Sequence, residues 1–512
     1  MCSRHTTARP SLRRSTRQGD GTYLSAYDKR LSLVALGTAN DDWLLTAGDG
    51  HAERYKKINN EFKLISSTSA DGDIATYEYN TVNKLSKIRD GLGRVIEVKW
   101  GDDGIVALEA ASGGVRYRYG QAISNGSPIA GMARLIGIDY TGPDQQVIAS
   151  KSYLYEDENN SYLLTGIIDE NKVRLATYRY DASGLTVSSE HAGGVNKYLF
   201  NYPSNTVRHV TDPLGTERSY ALEVTRSTRG VVAAESQPAG AGCSAGASGR
   251  TYCSEGLLTS ATDFNGQKIC YLNDYARGVE TRRIEGLTAN AMCPSDASSI
   301  ASTARMISTR WHPHKYFESS IAEPNLITNY IYNGEIGLDG KVVSCAPAEA
   351  ILPDGKPIAV LCIISQQATS DANGKQGFAA ARVGSSQTWD YTYDSHGNML
   401  SKRGPVKANG VREAIQLSYY SDSNESHMRD DLAKVVSANG GTTEFSAYTP
   451  EGKIKKVILD SGQTLKFEYN HRQQIVTQTI DDLTGSSETT QYSYDAVGQI
   501  RQTTLPDGST MS

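Results

Sequence analysis

The sequence predicts an all-β protein made of repeated hairpins, and three observations lead to that prediction. A Tyr-x-Tyr pair followed by Asp or Asn recurs along the 512 residues, Asp-Gly turn signals alternate with it, and 30 tyrosines stand against 7 phenylalanines. Tyrosine combines a strand-favouring ring with a hydroxyl that can stay hydrated. We therefore expect sheets whose faces meet water, not one dry core.

The tyrosine pair is the first element of each repeat. In a strand, residues i and i+2 point to the same face, so the two tyrosines lie side by side. The following Asp or Asn ends the strand by bonding to turn backbone, and a later glycine supplies a positive φ. The residues assigned to this structural motif are Tyr77, Tyr79, Asn80, Tyr178, Tyr180, Asp181, Gly184, Tyr330, Tyr332, Asn333, Tyr391, Tyr393, Asp394, Gly397, Phe467, Tyr469, Asn470, Tyr492, Tyr494, Asp495 and Gly498.

The second element is an acidic-glycine turn that alternates with the tyrosine pairs. Such turns begin at Asp90, Asp212, Asp263 and Asp460, and a Pro-Asp-Gly turn begins at Pro506. Between the pairs and these turns run alternating polar segments that are typical of strands. One repeat is therefore a hairpin of roughly 20 residues that pairs with the next copy, as in a solenoid.

Three longer stretches, residues 163–194, 310–324 and 391–405, carry a resemblance to a known family. They resemble the rearrangement-hotspot (RHS), or YD-repeat, proteins of bacterial polymorphic toxins, whose repeat also occurs in teneurins and insecticidal toxin-complex shells. The resemblance covers roughly residues 70–512 and implies a β-solenoid, or spiral sheet, that forms part of a hollow shell around a C-terminal toxin.

The chain departs from that family pattern at its C-terminal side. Typical members carry an Asp-Pro-x-Gly-Leu core segment, an autoproteolytic site and then a variable toxin. The Asp-Pro of this chain, at Asp212, lacks the final Leu and stands where repeat turns stand. The resemblance therefore implies a shell segment without its toxin, and we expect the strand at residues 500–505 to lack a following partner.

Composition shifts divide the chain into regions. Residues 228–256 are rich in Gly, Ala and Ser and predict a flexible loop, and the apolar run at residues 356–367 predicts a strand in an inserted hairpin. The regions are a basic, disordered lead-in (1–20), repeats (21–227), the loop (228–256), repeats (257–333), the insertion hairpin (334–388) and repeats that stop within a copy (389–512).

Charge and cysteine content limit the partners. The formal charge of -5 gives no reason to expect nucleic acid, and no apolar run suggests a membrane span. The basic lead-in is not followed by the apolar run of a signal peptide; its arginines are Arg4, Arg9, Arg13, Arg14 and Arg17. The cysteines lack C-x-x-C spacing, fit disulfides if the chain is exported, and leave the compartment open; they are Cys2, Cys243, Cys253, Cys270, Cys293, Cys345 and Cys362.

Three groups of residues have the residue types of catalytic or metal sites. Asp181, Asp394 and Asp495 have the residue type of glycosidase carboxylates, but their recurrence in each repeat favours turn capping. His312 and His314 form an H-x-H without a nearby third metal ligand, and the loop from Asp157 lacks the Gly and Glu of a calcium loop. We therefore assign no catalytic residue, no metal and no cofactor.

The function that we predict is a non-enzymatic shell segment. By resemblance, its partners are a toxin domain of its own or encoded downstream and a secretion-system or cognate shell protein, and the full-length parent is exported or cell-associated. One alternative is a cell-surface adhesion or carbohydrate-binding module that uses the tyrosine faces. The other is a hydrolase with a site in residues 228–388.

Overall fold

The computed structural model describes residues 15–18, 22–25, 31–124, 127–158, 160–225, 230–240, 244–296, 299–301 and 303–512. These residues form 39 strands and two short 3-10 turns, Ala192–Gly194 and Gly377–Ala379. All the strands belong to one sheet in which the registered neighbours run antiparallel. The prediction of an all-β fold is confirmed. No helix in the described part of the chain has the length and apolar character to span a membrane.

The chain divides into two compact units, each made of two separate stretches. Unit 1 comprises residues 1–75 and 221–412, and unit 2 comprises residues 76–220 and 413–512.

The early strands are β1 Ser15–Arg17, β2 Tyr23–Ser25, β3 Ser32–Ala35, β4 Asp42–Thr46, β5 Ala52–Ile58, β6 Glu61–Thr68, β7 Ile74–Tyr79, β8 Leu85–Asp90, β9 Val95–Gly101, β10 Gly104–Ala110, β11 Gly113–Ser124, β12 Ser127–Thr141, β13 Val147–Leu154, β14 Gly166–Ile168, β15 Arg174–Tyr180, β16 Thr186–His191, β17 Tyr198–Ser204, β18 Val207–Thr211 and β19 Glu217–Val224. The middle strands are β20 Gly230–Gln237, β21 Gly246–Tyr252, β22 Leu258–Thr262, β23 Gln267–Asp274, β24 Val279–Thr288, β25 Arg305–Trp311, β26 Glu318–Glu323, β27 Leu326–Tyr332, β28 Leu361–Ala368, β29 Gln387–Tyr393 and β30 Met399–Val406. The late strands are β31 Arg412–Tyr419, β32 Leu432–Val436, β33 Thr442–Tyr448, β34 Ile454–Ile458, β35 Thr464–Tyr469, β36 Ile475–Asp481, β37 Ser487–Tyr494, β38 Ile500–Thr504 and β39 Thr510–Met511.

The two units differ in how they bury apolar side chains. Unit 1 holds three buried clusters, centred on Ile284 and Met306, on Leu352 and Ile358, and on Ile327. In unit 2 the buried apolar residues are spread along the sheet, as at Val98, Ala107, Ala176, Tyr448 and Val457. Unit 2 therefore depends more on its backbone ladder and polar side chains.

The structure differs from the prediction in four segments. Within the region predicted as a loop, β20 and β21 form a paired ladder, with Ala234 opposite Gly249. Small side chains do not prevent strand pairing, because the ladder is made by the backbone, so a Gly/Ala/Ser-rich composition is ambiguous evidence for a loop. Cys243 and residues 1–14, with Cys2 and four of the five arginines, lie outside the described residues, but Arg17 lies in β1, where the lead-in was expected to be disordered.

The predicted insertion hairpin is also wrong in form. Its apolar run supplies β28, which pairs with β27 on one side and with β29 on the other as a full member of the sheet. Residues 333–360 stand outside the named strands and hold only isolated bridges. The strand expected to lack a following partner, β38, pairs with β39, because the turn at Pro506 reverses the chain.

Candidate functional site

The recurring turn has one hydrogen-bond pattern, which Asp181 illustrates. Its backbone N–H donates to the Leu185 carbonyl at 2.9 Å, and the Gly184 N–H donates to the Asp181 carbonyl at 2.9 Å. Its Oδ1 accepts the N–H groups of Ser183 and Leu185 at 2.8 and 2.9 Å. Gly184 has a φ of 80°, so the loop is a turn followed by a left-handed residue, and the register of the flanking strands shifts next to it, between Arg179 and Tyr180.

Other copies keep this pattern with different residues. Asn80, Asp394 and Asn470 each accept two turn N–H groups at Oδ1. The left-handed position is glycine in the Asp394 copy (Gly397, φ 84°), but Asn83 and Gln473 occupy it elsewhere, with φ of 60° and 61°. The side-chain oxygens thus accept hydrogen bonds from turn N–H groups that would otherwise need a water molecule as acceptor.

The second tyrosine of a pair makes a contact that the sequence did not predict. The Tyr180 hydroxyl donates to the Leu164 carbonyl at 2.7 Å, and the Tyr469 hydroxyl donates to the Ile454 carbonyl at 2.7 Å. We call this bond, from a tyrosine hydroxyl to a backbone carbonyl at the preceding strand, the tyrosine clasp. Clasps are also made by Tyr119, Tyr155, Tyr202, Tyr252, Tyr332, Tyr393, Tyr448 and Tyr494. Phenylalanine cannot make this bond, which accounts for tyrosine at these ten positions.

Burial fixes the clasp hydroxyls in their protonated, donating form. It raises the pKa of Tyr332 and of Tyr393 to about 12, and it also raises the pKa of Tyr180, Tyr469 and Tyr494. A desolvated phenolate would be costly, and a phenolate cannot donate to a carbonyl. The clasp therefore persists throughout the neutral pH range.

The structure places the predicted motif residues as follows. Tyr77 and Tyr79 lie in β7, Tyr178 and Tyr180 in β15, Tyr330 and Tyr332 in β27, Tyr391 and Tyr393 in β29, Phe467 and Tyr469 in β35, and Tyr492 and Tyr494 in β37. Asn80, Asp181, Asp394, Asn470 and Asp495 each begin a turn. Asn333 departs from this pattern. It is 9% exposed, and its amide bonds the Ile358 carbonyl and the Cys345 N–H, so it anchors residues 333–360.

Asp495 has a second contact besides its turn. Its Oδ2 accepts the Asn171 amide at 3.0 Å, and the Asn171 Oδ1 accepts the Ala496 N–H at 3.1 Å, across 324 and 325 positions of sequence. The hydrogen bond from Asn171 holds the pKa of the Asp495 carboxyl below its usual range. Two turns of unit 2 that are remote in sequence are thereby joined directly.

Neighbouring polar contacts in unit 2 join the same two stretches. The Arg94 guanidinium donates to the Glu451 carbonyl at 3.1 Å. The buried Glu170 carboxylate lies 3.4 Å from Lys151 Nζ and 3.8 Å from the Arg472 guanidinium, which also donates to the Ala496 carbonyl. We call these contacts, together with the Asn171–Asp495 pair, the polar seam of unit 2. No local sequence pattern predicts it.

The three carboxylates with the residue type of glycosidase catalysts are bonded within turns. Asp181, Asp394 and Asp495 lie in three separate turns, and the Oδ1 of each accepts two backbone N–H groups. In the region of the hydrolase alternative, Asp371 is 3% exposed, and its Oδ2 accepts the N–H groups of Gln376 and Gly377. These contacts explain the carboxylates as backbone acceptors.

The H-x-H pair is built into a loop of unit 1. The Nδ1 of His312 accepts the N–H groups of His314 and Lys315 at 3.1 Å each, so its proton resides on Nε2, which lies 3.0 Å from Glu335. Burial lowers the pKa of His312 to about 4, and the neutral ring keeps this arrangement. Both ring nitrogens of His312 are occupied by protein groups, so the pair is not arranged as metal ligands.

An aromatic groove of about 370 Å³ lies on the tyrosine face of unit 2. Its walls are Leu164, Tyr178, Tyr180, Thr186, Ser189, Phe200 and Tyr202. The hydroxyls of Tyr180 and Tyr202 are engaged in clasps, which fix both rings. The groove therefore offers preformed aromatic surface.

Comparisons with known proteins find no matching family model and no matching curated protein. Among solved structures, the chain is similar to a crystal structure of TcdB2-TccC3-Cdc42, at 10% identity and a TM-score of 0.48, covering 96% of this chain and 24% of that one. It is also similar to the Photorhabdus luminescens Tc holotoxin pore, at 8% identity and a TM-score of 0.36, covering 94% of this chain and 31% of that one. The chain thus spans less than a third of each of those chains, and at these TM-scores the likeness carries no argument about activity or partners.

Proposed function

We propose that this chain is a non-enzymatic wall segment of an RHS-type shell that surrounds or presents a toxin used against competing bacteria. The observation that carries the proposal is the tyrosine clasp. It recurs along the sheet, and in each copy the tyrosine hydroxyl donates a hydrogen bond to the protein's own backbone. A repeated side chain that satisfies backbone is suited to building an extended wall, because each repeat needs only its neighbour.

The proposed partners follow from the sequence resemblance. The cargo is a toxin domain in the same polypeptide or encoded downstream, and export requires a secretion-system or cognate shell protein. The disulfides Cys270–Cys293 and Cys345–Cys362 support export, since such bonds persist in oxidising compartments.

Protease protection of the full-length gene product tests the proposal. We expect the polypeptide downstream of this chain to resist a nonspecific protease while the shell is intact and to be digested once the shell is unfolded in urea. The matched control is the same downstream polypeptide produced alone. Digestion at equal rates with and without the shell would refute enclosure. Loss of killing in a competition assay after deletion of the gene would support the antibacterial role.

A second candidate is carbohydrate binding, and the aromatic groove favours it. Fixed aromatic rings beside the hydroxyls of Thr186 and Ser189 have the composition of a sugar-stacking site. A glycan array with the wild type and with Tyr178→Ala tests this candidate, because Tyr178 lines the groove and makes no clasp. Selective binding that this substitution abolishes would support a lectin, and an array without signal would remove the candidate.

A further inference from the structure

Both disulfides of the described residues lie in unit 1, and each ties a sheet strand to a segment outside the sheet. Cys270 in β23 bonds Cys293, and Cys362 in β28 bonds Cys345, with Cα atoms 5.5 Å apart in each pair. Cys253 is a free thiol among the described residues. The placement makes each disulfide a connection between the ladder and chain that the ladder does not hold.

The segment attached by Cys345 has little regular structure of its own. Residues 333–360, here called the docking segment, contain two isolated bridges, Ile336 with Val342 and Ile351 with Pro357. A small apolar cluster stabilises the segment; its members are Ala346, Ala350, Leu352, Ile358 and Val360. The disulfide is therefore the covalent anchor of the segment, beside this cluster and the hydrogen bonds of Asn333.

The docking segment joins the two stretches of unit 1. The Ala359 N–H donates to the Ala70 carbonyl at 2.8 Å, and the Ile358 side chain packs against Gly72, whose added Cβ would lie 3.0 Å from Cγ2. On its other side, the Cys345 carbonyl accepts the Tyr393 N–H at 2.8 Å. The disulfide thus stands between the early turn at residues 69–72 and the strands β28 and β29.

The two sulfurs of this disulfide differ in access. Cys362 is 1% exposed, whereas Cys345 is partly exposed. A thiolate from solvent therefore attacks Sγ of Cys345, and Cys362 leaves as thiolate. The buried leaving sulfur is then no longer tied to the docking segment.

We propose that Cys345–Cys362 is a redox latch that fastens the docking segment, and with it the turn at residues 69–72, to the sheet. A small-molecule thiol forms a mixed disulfide at Cys345, and a second thiol displaces it. The S–S bond is reduced to two cysteine thiols, and the two reductant thiols are oxidised to their disulfide. In a reducing compartment the contact between the early and late stretches of unit 1 loosens, while the polar seam of unit 2 contains no such bond.

Hydrogen exchange on the full chain tests the latch before and after treatment with a dithiol. We expect amides at residues 333–360 and 69–72 to exchange at least tenfold faster after reduction, with turns 169–172 and 495–498 unchanged as internal controls. Thiol counting by mass spectrometry must show both disulfides before treatment and their loss after it. Free thiols at Cys345 and Cys362 in protein oxidised during expression, or unchanged exchange after verified reduction, would overturn the proposal.

Paired variants assign the effect to one disulfide. In Cys270→Ser/Cys293→Ser, the latch is intact, so exchange at 69–72 should stay low until dithiol is added. In Cys345→Ser/Cys362→Ser, exchange at 69–72 should be high without dithiol. If the second variant fails to fold, reduction of the folded first variant decides alone. A response at 69–72 that follows Cys270–Cys293 would refute the latch.

Discussion

Units 1 and 2 join stretches that are remote in sequence, and they do so with different chemistry. In unit 1 the early turn meets a disulfide-anchored segment with an apolar cluster through Ala70 and Gly72, and its Asp71 carbonyl lies against the turn at Gly397. In unit 2 the turns meet directly through amide, carboxylate and guanidinium groups, as at Asn171 and Asp495. The same repeat therefore supports one covalently fastened contact and one polar contact.

The difference shows that the repeat defines the ladder but not the long-range contact. Both units use the same turns and clasps, as at Tyr393 in unit 1 and Tyr469 in unit 2. What differs is the chain inserted between repeats, which unit 1 has at residues 333–360. A solenoid fixes nearest neighbours, and contacts over several hundred residues require additional groups.

The largest expected effect concerns the close approach of Gly397 to the Asp71 backbone in unit 1. Gly397 has a φ of 84°, and an added Cβ would lie 2.0 Å from the Asp71 carbonyl oxygen. We expect Gly397→Ala to lower the free energy of unfolding by about 3 kcal/mol or more, since both strain and a backbone clash result. The control is Gly410→Ala, where φ is 78° and nothing lies within 4 Å, and about 1 kcal/mol is expected. Equal losses in urea titrations would show that the Asp71 contact does not restrict this turn.

The second effect is loss of stability at alkaline pH. Tyr332 and Tyr393 have a pKa of about 12 in the fold, against about 10 when unfolded. Between these values the unfolded chain loses the protons and the folded chain keeps them. The stabilisation is therefore complete below pH 10 and is lost as pH rises through about 12.

Urea midpoints measured from about pH 8 to about pH 11.5 check this slope. Tyr393→Phe should start from a lower midpoint and decline less steeply above about pH 10, because it removes one ionising clasp. A wild-type midpoint that stays level to about pH 11.5 would contradict burial of the clasp hydroxyls.

Single clasps should contribute similarly in the two units. Tyr393→Phe in unit 1 and Tyr469→Phe in unit 2 each remove a hydroxyl that donates to a backbone carbonyl. We expect each to cost about 1 kcal/mol, the usual net value of such a bond. Tyr178→Phe is the matched control, because the described residues show no hydrogen bond at its hydroxyl, and it should be nearly neutral. A control as damaging as the clasp variants would attribute the effect to packing.

The smallest effect concerns the polar seam. Asp495→Ala removes a turn acceptor and the Asn171 contact, whereas Asp181→Ala removes a turn acceptor alone. The melting temperature should therefore fall further for Asp495→Ala. The lowered pKa of Asp495 also means that its contribution is present above the unfolded value of about 3.9 and is lost as pH falls. A double-mutant cycle with Asn171→Ala measures the coupling, and a coupling of zero would show that the pair does not stabilise unit 2.

The local parts of the structure were predictable because their causes are local. A strand followed by Asp and then Gly encodes its own turn; the Asp181 Oδ1 accepts the Ser183 N–H, and Gly184 has a positive φ. Asn333 shows the limit of this approach, since its motif is intact but its amide bonds Ile358, 25 residues away. The same sequence motif therefore gives a turn-capping residue or a long-range contact, depending on the segment that follows it.

The long-range contacts were not predictable from the pattern. Asn171 stands second after its own turn residue, Asp169, and nothing nearby in sequence indicates that it meets Asp495. The tyrosine clasp is predictable from the sequence only in part. The excess of tyrosine over phenylalanine indicates that the hydroxyls matter but does not identify their acceptors, because the acceptor carbonyls lie 14 to 32 positions away.

The clasp also determines how the sheet would behave under tension. Each hydroxyl bond reaches only the strand before it, so a pull on one end loads a single ladder and a single clasp at a time. Tyr469 and Tyr494 mark successive clasps, and the chain between them would extend by roughly 80 Å when released. Stretching one molecule should therefore give a series of small force peaks, interrupted by a larger one where the polar seam must break first.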